Sequence, residues 1–488
     1  MMDSAVPTET NYNRINMLGR LILKPLEGLT VTGEYSINKT FYSQKRFNKR
    51  VDDFADGRDN TILPPNESYS TYRFQKSSTD YDALNLFATY NKKIGDHDFT
   101  VTGGLNMEKY YNEDLSASRG NMINDELPAL GLATNVPSVS DGYTENAIFG
   151  TFYRVNYSLK DRYLLEASGR YDGSSKFPEG HRFGFFPSFS AGWRINQEAF
   201  LREVDFLSNL KLRASWGSIG NQNISEYQYL PTMTSVKANW GIDGDKPLTL
   251  KTPSLVRANF TWEEVRTTNF GLDWGFFNDR LTGSFDIFRR ETLNMLGPGP
   301  DYPTTLGAAS PLQNAANMHT DGWELQLNWR DKIGDVSYGI GFNLSDAKSK
   351  ITKYNNPTKS LDMAYYEGME LGEIWGYVSD RLYTVDDFVD GTLKVTGDGE
   401  LSGGTLKDGI PHFEGCSPNP GDMLFKYADE NGVIWKSDNT ADNPGSRRII
   451  GNNTPRYTFG INGNVSWKGF DLSFLLQGVG KRDLWLRN

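Results

Sequence analysis

The stretch TDGWELQLNWRDKIGDVSYGIGFNLSD, residues 320–346, alternates apolar and polar residues on both sides of a short turn. Its apolar positions are Trp323, Leu325, Leu327 and Trp329 before the turn, and Val336, Tyr338, Ile340, Phe342 and Leu344 after it. A period of two is the signature of a β-strand, because successive side chains point to opposite faces of a sheet. The stretch therefore predicts two antiparallel strands that turn at residues 332–335 and have one apolar and one polar face.

The apolar face of this hairpin needs either a packing partner or an apolar solvent. Its strands are longer than the roughly 5–6 residues of an average globular strand. Matching Trp329 with Val336 across the turn places Ile340 opposite Leu325, with both side chains on the apolar face. A protein core and the hydrocarbon of a membrane would each satisfy such a face, so the hairpin alone leaves both interpretations open.

The same alternation recurs along the chain and predicts about seven hairpins, or about fourteen strands. Five of the other pairs turn at KPLEG (24–28), KIGDHD (93–98), KDR (160–162), FND (277–279) and KG (468–469). The sixth pair, residues 186–195 and 210–218, is joined by NQEAFLREVDFLSN. For that connection we predict a short helix with Asn196 as its N-cap.

Connections between the hairpins are much longer than the turns inside them. Polar loops are predicted at residues 44–79, 217–264 and 350–453. Alternation of short turns with long loops is typical of outer-membrane barrels, whose periplasmic turns are short and whose external loops are long. Soluble sandwiches do not show this asymmetry systematically, and no fixed-period repeat indicates a propeller or solenoid.

Composition supports one continuous β architecture. The chain has 488 residues without a Pro/Ser-rich linker, an aromatic fraction of 13% and 49 glycines, a mixture that suits strands and turns. A mean hydropathy of -0.56 and the lack of a long apolar run exclude a transmembrane helix, which needs roughly 20 apolar residues. Barrel strands alternate and therefore average out as polar, so a membrane barrel stays compatible.

Charge and cysteine content exclude several function classes. The net charge of -10 argues against nucleic-acid binding, which requires a basic surface. The single cysteine, Cys416, excludes an internal disulfide. The first ten residues show neither the basic nor the apolar region of a signal peptide, so the chain is either cytosolic or a piece of a longer protein.

The predicted apolar faces carry no charged residue, which bears on their solvent. An Arg or Lys facing lipid near the bilayer midplane costs roughly 2–4 kcal/mol. Aromatic residues lie near the predicted strand ends, at Tyr157, Trp274, Trp329 and Trp467. Strand length, the connection asymmetry and these aromatics together favour lipid over a protein core.

Several longer stretches resemble the SusC/RagA-type TonB-dependent transporters of bacterial outer membranes. They are residues 162–195, 210–224, 262–296 and 454–478, with further similarity at 314–329 and 373–377. The block YDGSSKF…FPSFSAGWRI within the first stretch is the most specific of these motifs. When the predicted strands are compared one by one, the resemblance extends over most of the chain from about residue 11 onward.

This resemblance implies a plugged barrel of about 22 strands in the bacterial outer membrane. Such transporters import bulky nutrients, commonly oligosaccharides (glycans) or peptides, with energy delivered by TonB. A SusD-like lipoprotein lid typically covers the external mouth. We expect residues 1–488 to be a partial barrel domain, of about fourteen strands with long external loops. The signal peptide, TonB box and plug would then be encoded upstream of Met1, and the closing strands downstream.

Catalytic and metal sites are not expected. Ser345 and Lys348 match the S-x-x-K pattern of some serine hydrolases, but residues i and i+3 of a strand point to opposite faces. The lone cysteine cannot complete a thiolate site, and the four histidines have no paired spacing. The histidines are His97, His181, His319 and His412. We therefore predict no enzyme activity, no cofactor and no metal.

The long loops contain weaker candidates. Asp429, Asn431 and Gly432 resemble part of a calcium-type ligand string, but Val433 replaces the next acid and the site is left short of oxygens. The acidic segment 384–400 is expected to be a solvated loop. Loop aromatics could stack on sugar rings or pack the loops against each other or a lid protein: Tyr227, Tyr229, Trp240, Trp375 and Tyr377.

The sequence predicts a transport function. Polar faces would line a conduit, with Arg154, Glu166, Arg170, Glu324 and Gln326 among its wall residues. The alternatives are a passive porin or adhesin-type barrel, and a soluble all-β glycan-active enzyme that uses paired carboxylates. Substrate-binding residues cannot be assigned, because barrels of one family share strands and differ in loops.

Overall fold

The computed structural model describes residues 8–49, 54–55, 62–63, 70–242, 246–251, 253, 255–256, 260–299, 303, 305, 310–397, 399–435 and 438–485. Within these residues the chain is built from strands, turns and three 3-10 helices. None of the helices in this part of the chain is long and apolar enough to cross a bilayer.

Fourteen strands form one antiparallel sheet, and each strand pairs with its neighbours in chain order. The strands are β1 (Glu9–Leu26), β2 (Leu29–Asn48), β3 (Thr71–Ile94), β4 (His97–Gly120), β5 (Ser138–Leu159), β6 (Tyr163–Ser174), β7 (Phe183–Arg194), β8 (Leu207–Asn221), β9 (Glu263–Phe276), β10 (Leu281–Pro298), β11 (Leu312–Ile333), β12 (Val336–Lys353), β13 (Arg456–Trp467) and β14 (Phe470–Lys481). The prediction of about fourteen strands is confirmed. Because the strands run up and down in order, the six tight turns and the β7–β8 connection lie at one end of the sheet, and the connections between successive hairpins lie at the other.

The short turns have the residues that their backbone requires. Gly334 lies at φ 59 between β11 and β12, and Gly28 at φ 83 between β1 and β2. Glycine adopts this left-handed region at little steric cost, which permits a tight hairpin. A Cβ on Gly28 would also meet the backbone oxygen of Asn91 at 2.4 Å, so this turn tolerates no side chain without moving.

The register of the β11–β12 hairpin differs from the predicted one. Ile333 pairs with Val336, which places Trp329 opposite Ile340 and Leu325 opposite Leu344. The predicted pairing of Trp329 with Val336 is wrong. Both strands continue to the two-residue turn Gly334–Asp335, whereas the prediction placed the turn at residues 332–335 and paired no residue between Trp329 and Val336. Since the shift is an even number of residues, every side chain keeps its predicted face.

Two other predictions are corrected. Residues 196–209 do not form a helix; a 3-10 helix at Ile195–Gln197 is followed by turns, and its N-cap is Arg194, not Asn196. The Asn196 amide instead donates to the Ser208 carbonyl at 3.1 Å. The first long loop is also shorter than predicted, because β2 extends to Asn48 and β3 begins at Thr71.

The long connections contain small ladders of their own. The paired strands are Phe54–Ala55 with Ile62–Leu63, Ser235–Lys237 with Leu248–Leu250, Glu373–Gly376 with Arg448–Asn452, Ser379–Leu382 with Met423–Phe425, Lys394–Val395 with Leu401–Ser402, and His412–Phe413 with Val433–Ile434. Besides Ile195–Gln197, the 3-10 helices are Leu130–Leu132 and Val385–Asp387. The longest connection is thereby folded rather than extended.

The sheet has one apolar and one polar face, and register keeps them separate across all strands. Leu325 pairs with Phe285 on one side and Leu344 on the other, while Glu324 pairs with Asp286 and Ser345. We call the side of Leu325 the apolar face and the side of Glu324 the polar face. Among the described residues, sheet strands pack with their sheet neighbours and no second layer covers the apolar face.

Large side chains of the apolar face are exposed as a result. Leu21 is 62% exposed, Leu165 52%, Phe270 56% and Leu476 57%. Soluble monomers rarely expose a contiguous apolar patch above roughly 300–600 Å². In a sandwich, a second sheet would cover such a face. Because the face stays exposed over fourteen strands here, it needs an apolar solvent.

Both edges of the sheet are open. In the described part of the chain, β1 pairs on one side only, with β2, and β14 pairs on one side only, with β13. Every described residue of β1 is exposed along its length. An unpaired edge leaves backbone donors and acceptors unsatisfied, a serious cost in lipid and an invitation to aggregate in water.

One close contact in the sheet yields a stability prediction. A Cβ on Gly104 in β4 would lie 2.5 Å from the Phe87 Cβ, 2.6 Å from the Leu86 carbonyl oxygen and 2.9 Å from the Phe152 ring. Gly104→Ala is expected to destabilise the sheet by about 1–2 kcal/mol, because the backbone oxygen cannot move aside easily. The measurement is the urea midpoint of unfolding. Gly103→Ala is the matched control, since its nearest atom would be 3.8 Å away; equal midpoints for the two variants would contradict the prediction.

Candidate conduit wall

The polar face is a continuous surface of hydrogen-bonding side chains. Thr89 and Thr102 share a hydrogen bond of 3.0 Å across β3 and β4, and Asn106 donates to Asn85 at 2.8 Å. The same face continues through β7 and β8, where Ser190 pairs with Ser215. Facing partners can satisfy one another without water, yet their remaining lone pairs and donors suit a wet surface.

All five wall residues predicted from the sequence lie on this polar face. Arg154 and Glu166 form an ion pair of 3.4 Å between β5 and β6. Arg170 binds Asp172 two residues along its own strand, at 2.8 Å. The other two, Glu324 and Gln326, are exposed neighbours on β11. Alternation in the sequence was enough to assign each of these to its face.

A three-residue ionic cluster, Arg213, Asp273 and Asp286, joins strands β8, β9 and β10 on the same face. The guanidinium of Arg213 donates two bonds of 2.8 Å to Asp273 and one of 2.9 Å to Asp286. Asn269 donates to the other oxygen of Asp286 at 2.8 Å. Glu324 on β11 is the register partner of Asp286, and Lys211 on β8 is that of Asp273, so three carboxylates and two cations share this part of the polar face. This part of the wall is therefore acidic.

The sequence prediction overlooked this cluster. Asp273 and Asp286 lie in correctly predicted strands, and the alternation of each strand already placed their side chains on the polar face. Their distance from Arg213 along the chain hides the partnership: residues 60 and 73 positions apart meet only when β8, β9 and β10 align.

Two hollows lie in this region of the sheet, on opposite faces. One of about 550 Å³ opens on the polar face and is lined by Thr100, Asn156, Glu166, Lys211 and Arg213. A larger one of about 780 Å³ lies on the apolar face, and its wall includes Leu165, Ala191, Leu212, Ala214, Phe270 and Leu272. Only the polar hollow can meet a water-borne solute; the larger one would face apolar solvent.

The most specific sequence block builds a mouth cluster at the long-loop end. Phe177, Phe186, Phe260 and Trp262 are buried together, with Tyr229 packed against them. The Phe177 and Trp262 ring centroids are 5.1 Å apart, and the Trp262 indole donates to the Arg182 carbonyl at 2.8 Å. The cluster ties the β6–β7 connection to the end of the β8–β9 loop, a structural role for this block.

The longest loop, residues 354–455, has a small core of its own. Tyr383, Phe388 and Leu424 are buried together. Beside them, Arg381 donates two bonds of 2.6 Å to Asp387, which also accepts from the Thr384 backbone at 2.7 Å. The Arg381 hydrogen bonds hold the pKa of the Asp387 carboxyl far below its ordinary value of 3.8, although burial acts the other way.

This ion pair yields a prediction about pH. Because the folded pKa of Asp387 is depressed, its stabilisation is complete above the unfolded value of 3.8 and is lost as the pH falls through the lower folded value. We expect the loop to resist a broad acid-active protease at pH 4–5 and to open only at stronger acidity. Asp387→Asn should be cleaved faster by the same protease already at pH 5. Asp386→Asn, next to it, is the control; equal cleavage of the two variants would contradict the prediction.

The catalytic and metal candidates from the sequence are dispersed. Ser345 lies on the polar face against Thr458 at 2.7 Å, whereas Lys348 lies on the apolar side near Glu370 at 3.5 Å. No group of three or more His, Cys, Asp or Glu side chains is placed to hold a metal within the described ranges. The histidines lie in separate places: His97 bonds Tyr157, His319 approaches Asp321, His412 bonds the Ile410 carbonyl, and His181 lies in the β6–β7 connection.

The loop candidates have structural contacts. An Asp429 oxygen accepts from the backbone of Asn431 at 2.9 Å and of Val433 at 2.7 Å, which closes a turn. The aromatics differ among themselves. Tyr227 accepts from the Glu145 backbone, Tyr229 packs in the mouth cluster, Trp375 donates to Glu373, Tyr377 packs on Phe413 and Phe425, and Trp240 is 59% exposed.

A family model described as TonB dependent receptor-like, beta-barrel matches residues 8–482. The chain belongs to this family. Members of this family are receptors and transporters of the bacterial outer membrane, and the chain is placed there with them. The apolar face is therefore the lipid face of a barrel wall, and the polar face is its lumen side.

Individual relatives agree with this assignment. TonB-dependent receptor P3 of Formosa agariphila is 29% identical over 420 residues, covering 83% of this chain and 39% of the relative. TonB-dependent receptor SusC of Bacteroides thetaiotaomicron is 27% identical over 439 residues, covering 87% of this chain and 40% of the relative. The chain spans about two-fifths of the length of these curated relatives.

A solved structure agrees in fold. A structure of the RagAB peptide transporter superposes with a TM-score of 0.74 at 22% identity, over 96% of this chain and 47% of that one. At this identity the likeness concerns the fold alone. The family model and the curated relatives together confirm the resemblance to SusC/RagA-type barrels that the sequence motifs indicated.

Proposed function

We propose that the chain forms part of the barrel of a SusC-like, TonB-dependent importer of bulky nutrients, either glycans or peptides. The observation that carries the proposal is the uninterrupted polar wall, which stays on one face across fourteen strands while the other face is apolar. A wall of this kind is what a wide, water-filled or plugged barrel needs on its inside. The RagAB structure is described as a peptide transporter, which supports the peptide class. The glycan class rests on the resemblance of the sequence motifs to SusC/RagA-type transporters.

We further propose that residues 1–488 are a partial barrel domain. The open edges at β1 and β14 would pair with additional strands, and a plug would lie against the polar wall. The coverage of about two-fifths of each curated relative supports this. A SusD-like lipoprotein would cover the long-loop end, where residues 354–455 offer a folded platform, and TonB would act through the plug.

The partial-domain proposal predicts that the chain cannot close by itself. Expressed alone behind a signal peptide, it is expected to aggregate or be degraded, because two unpaired edges are costly in lipid and adhesive in water. Gel migration before and after heating is the measurement, together with protease resistance. A protease-resistant, heat-modifiable barrel would show that fourteen strands suffice and would overturn the proposal.

Import is tested by energy dependence. The gene is interrupted in its own host, and uptake of fluorescent oligosaccharide and peptide pools is measured with and without a protonophore. We expect uptake of one pool to require both the gene and an energised inner membrane. Uptake that requires the gene but survives the protonophore would indicate a passive porin, and uptake independent of the gene would indicate an adhesin-type barrel.

We propose that the protein is not an enzyme. The dispersal of its histidines and the separation of Ser345 from Lys348 support this. Recovery of the protein in the soluble fraction, with hydrolysis of a glycan, would favour the soluble-enzyme alternative instead.

A further inference from the structure

One connection at the short-turn end differs from all the others. Six of the strand pairs turn within a few residues, as at Gly334–Asp335, but β7 and β8 are joined by residues 195–206, which fold into a 3-10 helix and consecutive turns. We call these residues the foot. A tight turn would connect the strands equally well, so the foot is extra chain at the end of the barrel wall that faces the periplasm.

The beginning of the foot is fastened to the lipid face. Glu198 accepts hydrogen bonds from the Tyr163 hydroxyl at 2.6 Å and the Trp193 indole at 2.9 Å, and it pairs with Arg162 at 2.8 Å. Tyr163 and Trp193 are opposite one another in register and lie on the same face as Leu165. The carboxylate of Glu198 is therefore held on the outside of the wall, not in the lumen.

The end of the foot is fastened to the same face. The Phe206 ring is stacked on Phe276, with centroids 6.1 Å apart and an interplanar angle of 16°. The Phe206 carbonyl also accepts from the Phe277 backbone at 2.8 Å. Phe276 follows Trp274 on the lipid face by two positions toward the turn, so the contact lies at the level where the apolar band ends.

Large aromatic side chains project from this fastened segment. Phe200 is 69% exposed, Phe206 55% and the adjoining Phe277 50%. Between them the charged residues Arg202, Glu203 and Asp205 are also exposed. Aromatic residues next to charged ones, at the boundary of a lipid face, have the composition of a segment that lies in a membrane interface.

We propose that the foot is an interfacial anchor, whose Phe200 and Phe206 side chains insert into the phospholipid leaflet on the periplasmic side. The foot meets lipid because it is continuous with the lipid face. That face runs directly into the foot at Tyr163, Trp193 and Phe276, so the leaflet that covers those residues also reaches the foot. The hydrogen bonds of Glu198 hold the start of the foot on the lipid side of the wall. The anchor fixes the depth and tilt of this part of the wall.

Depth-dependent fluorescence quenching tests the proposal. The protein is isolated from its outer membrane in its native assembly and placed in phospholipid nanodiscs, with Cys416→Ser as background. Single cysteines at Phe200 and Phe206 carry a small fluorophore, and Asp96→Cys and Asp335→Cys in the tight turns are matched controls. Lipids brominated near the glycerol should quench the labels at 200 and 206, while aqueous iodide should quench those at 96 and 335.

Two quenching results would overturn the proposal. Iodide quenching at 200 and 206 as strong as in the tight turns would place the foot in water. Shielding from both quenchers would place it against protein. A second measurement needs no substitution: a phospholipid with a photoreactive group near its glycerol should label the peptide containing residues 195–206 of the unaltered protein. Adducts confined to strand peptides would likewise contradict the anchor.

Discussion

Leu325→Arg is expected to destabilise the barrel by about 2–4 kcal/mol, the cost of placing a guanidinium in the middle of the hydrocarbon. Leu325 lies on the lipid face between Phe285 and Leu344, and its row is flanked by apolar rows toward the turn. Gln326→Arg, one residue further on, puts the same group into the lumen and should be far milder. The measurement is the denaturant midpoint of the full-length protein in lipid.

Leu344→Arg should resemble Leu325→Arg, because the two residues are direct partners across β11 and β12. Ile340, opposite Trp329, lies two rows nearer the turn, and Ile340→Arg should cost less. Labelling distinguishes lipid from a protein core: cysteines at 325 and 344 should react with a lipid-phase probe, and those at 326 and 343 with a water-soluble reagent. Positions 325 and 344 shielded from both probes would defeat the lipid assignment.

Arg213→Met is expected to cost about 2–3 kcal/mol, somewhat below the roughly 3–5 kcal/mol of breaking a fully buried pair. The substitution leaves Asp273 and Asp286 without their shared partner, and Asp286 then faces Glu324 in register. The discount reflects partial exposure, since the side chains of Arg213 and Asp286 are 30% and 18% accessible. The denaturant midpoint of unfolding is again the measurement.

A double variant separates lost attraction from leftover charge. Arg213→Met combined with Asp286→Asn removes one of the stranded carboxylates, so part of the stability should return. Arg330→Met, an exposed position of the same face on β11, is the control for loss of positive charge from the wall. Equal costs for Arg213→Met and Arg330→Met, with no recovery in the double variant, would mean that the cluster contributes nothing specific.

Sequence reasoning failed where a local signal competed with a tertiary contact. Residues 196–209 contain good helix formers, but Glu198 is drawn onto Tyr163 and Trp193. Phe206 is drawn onto Phe276, and the segment closes as turns instead. The predicted register of β11 and β12 was wrong for a different reason. Alternation determines the face of each residue, but the length of the turn determines which residue it pairs with.

The sequence by itself determined the number of strands, their arrangement in hairpins and the face of the residues in each alternating run, because the period of two is a local property of the chain. It also identified the family through motifs such as the block at residues 171–195. Only the tertiary structure decided the rest. Strand register brings Arg213 to its two carboxylates. Loop closure assembles the mouth cluster, and contacts with the lipid face give the foot its conformation. Contacts between residues far apart in the chain depend on alignment of whole strands, and no local pattern encodes that alignment.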